Sequence, residues 1–170
     1  MHERFEQVVL AHLDAAYNLA RWLVGSPTDA DDVVQEACLR ALRFFDGFRG
    51  GDARAWLLKI VRNTSYSWVR KNRPMELADE FNETIHSGEE AGANIEGELL
   101  SRAHGEQVRR ALETLPVGFR EVLVLREIEG LSYREISDVT GVPMGTVMSS
   151  LSRARQRLRA ELGAAMGKEA

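Results

Sequence analysis

Residues 131–158 read LSYREISDVTGVPMGTVMSSLSRARQRL, and this stretch decides the fold of the second half of the chain. Ser132 is followed three positions later by Glu135, the pattern of a capping box in which each side chain satisfies a backbone N–H at a helix start. Gly141 can adopt the positive φ that a turn between two helices needs. Val147 is apolar where the second helix must enter the core. The stretch therefore predicts a helix-turn-helix.

The last helix of this motif has two different faces. The apolar face consists of Val147, Leu151, Ala154 and Leu158. The opposite face is small and polar with one arginine, and it consists of Gly145, Ser149, Ser152, Arg153 and Gln156. Short side chains let a helix lie close to the bases in a DNA major groove, where arginine reaches guanine or phosphate. The alternative is an αα-hairpin with a solvated basic face, but the agreement of capping box, turn glycine and core valine favours groove reading.

Apolar residues recur at helical spacing in the first 74 residues too, which predicts three further helices. One long helix covers residues 5–24 and breaks at Gly25-Ser26-Pro27. Thr28 or Asp29 can cap the next helix, and Asp52 can cap the third. Together with the second half, this pattern predicts an all-α chain.

The net charge of −4 hides an uneven distribution. Residues 1–74 carry 11 Lys and Arg against 9 Asp and Glu, and residues 106–170 carry 10 against 9. Residues 75–105 carry eight acids and only one base, Arg102. Periodicity is weak in the acidic segment, so we predict two small helical domains, 1–74 and 99–165, joined by a flexible acidic linker over 75–98. The linker predicts domains that can lie far apart, with nothing internal that fixes their spacing.

Composition excludes several classes of protein. Apolar residues make up 44% and charged residues 28%, a globular balance. The single cysteine, Cys38, excludes an internal disulfide framework and a cysteine-based zinc site. No apolar run approaches the ~18 residues of a membrane span, and the start of the chain lacks the apolar core of a signal peptide. These features predict a cytoplasmic protein without membrane insertion.

Aromatic and cationic side chains alternate around the third helix. The rings are Phe44, Phe45, Phe48, Trp56, Tyr66 and Trp68, and the cations are Arg43, Arg49, Arg54, Lys59, Arg62, Arg70, Lys71 and Arg73. Bases stack on rings and a nucleic-acid backbone follows positive charge, so this mixture suits single-stranded DNA. The alternative, a small aromatic core, is favoured for Phe45, Trp56 and Trp68, which lie on apolar stripes. Phe48 lies on a glycine-flanked loop with no stripe to join, so base capture explains it at least as well.

The second helix begins with acidic residues, Asp29, Asp31 and Asp32, and continues with Gln35 and Glu36. Acids stabilise a helix N-terminus through its dipole, and this alone can explain them. They can equally form a docking face for a basic partner. The residues themselves leave both interpretations open.

Taken together, these residues resemble the bacterial sigma factors, specifically the extracytoplasmic-function (ECF) subgroup with two conserved domains. The resemblance covers nearly the whole chain apart from the linker. In the first domain it is carried by DDVVQEA at 31–37, FRG at 48–50, AWL at 55–57 and IVRNT at 60–64. In the second domain it is carried by LP at 115–116, REV at 120–122, LSYREI at 131–136 and GTV at 145–147.

The resemblance implies a subunit that binds core RNA polymerase and directs promoter-specific initiation, with no catalysis, cofactor or metal of its own. The polymerase contacts would be the β flap and the β′ clamp helices, the latter binding Asp31, Asp32, Gln35 and Glu36. The minus-ten promoter element would be melted and read by Phe48, Arg49, Trp56, Lys59, Arg62, Asn63 and Arg70. The minus-thirty-five element would be read by Ser132, Arg134, Pro143, Gly145, Thr146, Ser149, Ser150, Ser152, Arg153 and Arg157. An anti-sigma factor is a further implied partner.

One departure and three rival functions accompany this interpretation. Family members commonly carry basic residues after Gly-Thr-Val, whereas this chain has Met148, Ser149 and Ser150. A dimeric operator-binding regulator would leave the aromatic–basic cluster and the acidic helix unexplained. A nucleic-acid-processing enzyme would need converging ligands, but the four histidines show no metal spacing. A purely structural helical adaptor remains as the third alternative.

Overall fold

The structure is a computed structural model that describes residues 2–77 and 105–169, with side chains over 3–77 and 105–163. Within these residues every regular element is a helix, as the sequence predicts. The helices are α1 (His2–Leu10), α2 (Leu13–Val24), α3 (Pro27–Phe44), α4 (Ala53–Asn72), α5 (Gly105–Thr114), α6 (Val117–Leu123), α7 (Tyr133–Thr140) and α8 (Met144–Glu169). A 3-10 turn (Phe45–Gly47) follows α3, and a π-helix (Val124–Ile128) follows α6.

The first domain is built from α1 to α4, with the sides of α2, α3 and α4 packed on one another. Leu19, Leu23, Leu57 and Leu58 are fully buried at its centre. The prediction of one long helix over 5–24 is wrong, because the chain turns at residues 11–12 and separates α1 from α2. No glycine or proline marks this turn in the sequence.

Two helix starts in this domain test the predicted caps. Asp52 caps α4 as predicted, since its Oδ1 accepts a hydrogen bond from the Ala55 N–H at 2.9 Å. The cap of α3 is neither Thr28 nor Asp29 but Ser26, whose Oγ accepts from the Asp29 N–H at 3.1 Å. The reason is the residue after Ser26, because proline fits the first helical position, where no N–H is needed.

The second domain contains the predicted helix-turn-helix, formed by α7 and α8. Both hydrogen bonds of the Ser132–Glu135 capping box are present, at 2.9 and 3.1 Å. Gly141 ends α7 with φ of 79°. Val147 and Ile136 are fully buried, so the two helices share one core.

The two domains pack against each other, with α4 against α7 and α2 against α6. This corrects the expectation that nothing internal fixes their spacing. Residues 75–77, placed in the linker by the sequence, continue beyond α4 as a helical turn, and Leu77 packs against the core. The remainder of the predicted linker, 78–98, lies outside the described residues.

Candidate nucleic-acid interface

The outward face of α8 begins immediately after the turn of the helix-turn-helix. Gly145, Thr146 and Met148 are exposed, while Val147 between them is completely buried. Ser149 Oγ donates to the Thr146 carbonyl at 3.2 Å, which keeps this side chain close to the helix. A β-carbon added at Gly145 would meet no atom within 4 Å. The face is therefore shallow and open, a shape that allows close approach to base edges.

The other predicted minus-thirty-five residues lie around this face. Ser132, Arg134 and Pro143 are exposed, and Ser150, Ser152 and Arg153 are half-buried. Ser132 has a structural role as well, because its Oγ accepts the Glu135 N–H in the capping box. Arg157 is directed elsewhere, with its Nε 3.8 Å from Glu161, and it lines a cavity between the domains.

The neighbouring Arg155 serves the interior of the second domain. Its Nη2 donates to Glu127 Oε1 at 2.7 Å, and both side chains are largely buried. The sequence indicated that the arginines of α8 cannot all point one way, and the structure assigns this one to an ion pair between α8 and the π-helix.

Phe48 has a different environment from the one that the sequence predicted. Its ring is only 9% exposed and lies 4.9 Å from Trp56 and 6.0 Å from Phe45, centroid to centroid. Phe5 joins this cluster with an edge contact to Phe45 at 5.4 Å. The expectation that Phe48 has no apolar partners is wrong, because the short loop folds back and buries the ring against α4. The interpretation of Phe45 as a core residue is confirmed.

One outward row on α4 brings several of the minus-ten candidates together. Trp56, Lys59, Asn63 and Arg70 recur at steps of three, four and seven, so they share one face of the helix. Lys59, Asn63 and Arg70 are exposed, and Trp56 is partly buried. Arg49 is exposed on the loop before α4. A row of amide, cation and ring is chemically suited to a nucleic-acid strand.

Arg62 does not belong to this row. Its Nε donates to Glu121 Oε2 at 2.8 Å, and its guanidinium carbon lies 3.8 Å from the centre of the Tyr66 ring. The structure thus places this minus-ten candidate at the contact between the domains. Local sequence patterns could not reveal the pairing because 59 residues separate its partners.

The acidic residues of α3 form part of a larger surface. Asp31, Asp32, Gln35 and Glu36 are all exposed, and Glu36 pairs with Arg40 at 3.1 Å. Further along α3, on the same face, two large apolar side chains are exposed, and we call them the α3 apolar row: Leu39 (58%) and Leu42 (38%). The sequence placed Leu42 on the inward stripe and missed the row. An exposed apolar row beside charges is typical of a protein-binding surface.

Cys38, the single cysteine of the chain, lies on α3. Cys38 is half-buried, and burial raises the pKa of its thiol. Over residues 2–77 and 105–169 no group of three or more His, Cys, Asp or Glu converges as metal ligands do. No helix in these two ranges is both long and apolar enough to cross a bilayer.

Comparison with family models matches both halves of the chain. The model described as "Sigma-70 region 2" matches residues 8–74, and that described as "Sigma-70, region 4" matches residues 105–158. The first contains α2 to α4, and the second contains the helix-turn-helix.

Curated relatives and solved structures give the same result. An ECF RNA polymerase sigma factor SigE of Mycolicibacterium smegmatis is 35% identical over 91% of this chain, which spans only 60% of that relative. An ECF RNA polymerase sigma-E factor of Escherichia coli K12 is 38% identical over 76% of the chain and 72% of the relative.

Two solved structures resemble the whole described fold. The sigma factor RpoE of Bartonella quintana, in complex with the anti-sigma factor NepR, matches with a TM-score of 0.71 and 30% identity over 95% of this chain and 98% of that one. CnrH in complex with the cytosolic domain of CnrY matches with a TM-score of 0.69 and 30% identity over 96% and 90%.

Proposed function

The chain belongs to the sigma-70 family as an ECF-type sigma factor, and from this premise we propose how it directs RNA polymerase to promoters. In this proposal α8 reads the minus-thirty-five element as a duplex, and α4 binds the opened minus-ten strand. The polymerase carries out the chemistry, and this chain supplies recognition alone. The observation that carries the proposal is the presence of two different nucleic-acid faces, one on α8 and one on α4, in a single chain.

The two faces differ in the kind of DNA that they suit. The face of α8 is shallow, rigidly held by a capping box and a buried valine, and suited to a major groove. The row on α4 combines the partly exposed Trp56 with Lys59, Asn63 and Arg70, which supports stacking and backbone contact with an unpaired strand. In this proposal the buried Phe48 ring packs against Trp56 and holds it in position. Arg49 is the exposed cation of the loop before α4 and contacts the DNA backbone.

We place the docking site for core polymerase on α3. Its exposed acids, Asp31, Asp32 and Glu36, and the neighbouring Gln35 lie next to the α3 apolar row. One helix therefore provides negative charges that attract a basic partner and apolar side chains that the partner can bury. The β′ clamp helices are the proposed partner there, and the β flap is the proposed partner of the second domain.

An anti-sigma factor is the second proposed partner. Two structural neighbours were solved with such regulators or with a cytosolic partner domain, and this chain aligns with nearly all of each. A regulator that covers the α3 apolar row would compete with the polymerase for the same residues.

Run-off transcription on a promoter library, with and without this chain, tests the proposal. Core polymerase with the chain is expected to initiate at a defined subset of promoters. The Lys59→Ala and Asn63→Ala double variant is expected to lose about thirtyfold or more in initiation, because each good DNA contact contributes about 1 kcal/mol or more and two are removed. Arg110→Ala is the matched control, since Arg110 is an exposed cation on α5, far along the chain from both faces. Equal initiation by the double variant and the control would contradict the proposal for α4.

Alanine variants of α3 separate docking from DNA reading. Leu39→Ala with Leu42→Ala is expected to weaken binding to core polymerase about tenfold or more, as removal of large interface side chains does. Leu10→Ala is the control, because Leu10 is equally exposed (60%) but lies on α1. Unchanged polymerase binding by the α3 variant would exclude this docking site.

A further inference from the structure

A cavity of about 690 Å³ lies between the two domains. The end of α2 and the residues that follow α4 line it from the first domain, and the turn between α5 and α6 lines it from the second. Among the described residues of its wall, only Arg157 was predicted to contact the promoter. The volume lies within the range of cavities that bind small organic ligands. The cavity is therefore large enough for a small-molecule site separate from the proposed DNA faces.

The wall of this cavity has an excess of positive charge. Its described part carries four arginines and two glutamates, namely Arg21, Arg73, Arg120 and Arg157 against Glu76 and Glu113. Arg109 and Glu161 each pair with one of these residues from outside the wall, and they leave the excess unchanged because their charges cancel. A concave surface of one sign concentrates the potential, so the cavity attracts anions.

Arg120 has more hydrogen-bond donors than the protein supplies acceptors for. Its side chain is only 7% exposed. Nη1 donates to the Glu113 carbonyl at 3.0 Å, whereas Nε has no hydrogen-bond partner within residues 2–77 and 105–169. Burial lowers the pKa of the Arg120 guanidinium, Glu76 opposes that shift, and the nearby cation Arg73 adds to it. A buried cation with an unsatisfied donor is costly, and a bound anion would offset that cost.

Glu76 is shared between two of the arginines. Its Oε2 lies 3.5 Å from Arg73 Nη1, and its Oε1 lies 3.4 Å from Arg120 Nη2. Both distances exceed the roughly 2.7–2.9 Å of a strong charge-assisted hydrogen bond, which Arg62 and Glu121 form at 2.8 Å. An anion in the cavity would therefore gain donors from Arg73 and Arg120 without breaking a close ion pair.

Trp22 adds an aromatic surface to the same cavity. The ring is partly buried, because one side packs against the core of the first domain while the residue also lines the cavity. Nucleobases stack on such rings. Arginine clusters bind phosphate, since the planar guanidinium matches two phosphate oxygens. Arginines and a tryptophan in one wall are therefore chemically suited to a nucleotide.

We propose that this cavity binds a nucleoside diphosphate, whose phosphates contact Arg73 and Arg120 and whose base stacks on Trp22. The two phosphates supply the negative charge that the wall lacks. Both domains contribute to the site, because Trp22 and Arg73 belong to the first and Arg120 to the second. This inference goes beyond the proposed function and does not rest on it.

Isothermal titration calorimetry of the full chain, in magnesium-free buffer without DNA or polymerase, tests the site. The probes are ADP, GDP and inorganic pyrophosphate. At least one of the two nucleotides is expected to bind about fivefold or more tightly than pyrophosphate, because only the nucleotide has a base to stack. If neither nucleotide binds at concentrations up to about 1 mM, the proposal is overturned. Equal affinities for nucleotide and pyrophosphate would also overturn it.

Two variants separate the phosphate contacts from the base contact. Arg73→Ala is expected to weaken the binding of nucleotide and pyrophosphate alike by about tenfold, because one charged donor is lost from each. Trp22→Leu is expected to weaken nucleotide binding about fivefold and to leave pyrophosphate binding unchanged. Arg40→Ala is the matched control, since Arg40 is similarly exposed and pairs with one glutamate but lies outside the cavity wall.

The variants locate the site or exclude it. Nucleotide affinity that is unchanged in Arg73→Ala, or that falls equally in Arg40→Ala, would reject the cavity as the binding site. If Trp22→Leu loses its helical circular dichroism, the wild-type comparison of nucleotide with pyrophosphate decides the role of the base. Failure of promoter-specific run-off transcription, with the titrations as expected, would instead reject the proposed function and leave the nucleotide site intact.

Discussion

Asp52 caps α4 and also contacts the second domain. A hydrogen bond shared with the Glu135 carboxyl group and the bond from the Ala55 N–H lower the pKa of Asp52 below its ordinary value, with a smaller contribution from Arg54. Because the pKa is lower in the folded state, this carboxylate stabilises the fold above the unfolded pKa. The contribution is lost as pH falls through the folded pKa.

The first prediction concerns this cap. At pH 7, Asp52→Ala is expected to lower the free energy of unfolding by about 1 kcal/mol, the usual contribution of an N-cap. At pH 3 the difference is expected to narrow, because protonation removes part of the wild-type advantage. Asp52→Asn is the control, since asparagine caps equally well and does not titrate. Urea unfolding at both pH values measures the three free energies, and a gap of equal size at the two pH values would contradict the prediction.

Met148 directly follows Gly-Thr-Val on α8, and 48% of it is exposed on the α8 face. Met148→Arg is expected to add one phosphate contact. The slope of log K against log salt for duplex binding should then steepen by about one unit. Leu10→Arg adds the same charge at an exposed site on α1 and is expected to change the slope little. Fluorescence anisotropy across a salt series gives both slopes, and equal slopes would place Met148 outside the DNA face.

At the scale of elements, the sequence predicted what local chemistry decides. The Ser132–Glu135 box, Gly141 and Asp52 act on backbone groups within a few residues, so their spacing alone identifies them. The sequence prediction placed the cap of α3 at Thr28 or Asp29, two or three residues after the true cap, Ser26. The signal was local, because Pro27 marks the first helical position, but the prediction did not use it. The turn between α1 and α2 and the π-helix carry no glycine or proline signal, and tertiary packing decides them.

The residues of the candidate site also fall into those that local sequence patterns predict and those that depend on tertiary contacts. The inward residues of α8 and the exposed acids of α3 follow from helical period, which is a local property. The burial of Phe48 depends on where a loop folds back, and the engagement of Arg62 depends on a carboxylate far away in sequence. Neither leaves a signal in the spacing of nearby residues.

The two faces of α8 give a prediction at this scale. Leu151 is 1% exposed beneath the helix-turn-helix, and Leu151→Ala is expected to lower the free energy of unfolding by about 2–5 kcal/mol through the cavity it leaves. Met148→Ala, on the opposite face, is expected to stay within about 0.5 kcal/mol of wild type. Chemical denaturation followed by circular dichroism measures both, and comparable losses would mean that α8 is rotated about its axis.

At the scale of the whole molecule, net charge limits how strongly the free chain binds DNA. The net charge is −4, and neither domain has a large excess of Lys and Arg. The free chain is therefore expected to bind promoter duplex only weakly, and core polymerase is expected to strengthen binding by at least about a hundredfold. A gel-shift assay with and without core polymerase measures the difference. Comparable binding in the two lanes would contradict this prediction.

The carboxylate of Glu121 also has a consequence for how the molecule melts. Glu121 belongs to the second domain and is buried against Arg62 of the first. Unfolding of either domain would therefore expose this carboxylate to water and break its ion pair. Heat should therefore be absorbed in a single cooperative calorimetric transition, whose calorimetric and van't Hoff enthalpies agree. In Glu121→Gln, where this ion pair is lost, two separate endotherms are expected. The number of calorimetric transitions therefore shows whether the two domains unfold as one cooperative unit or as two.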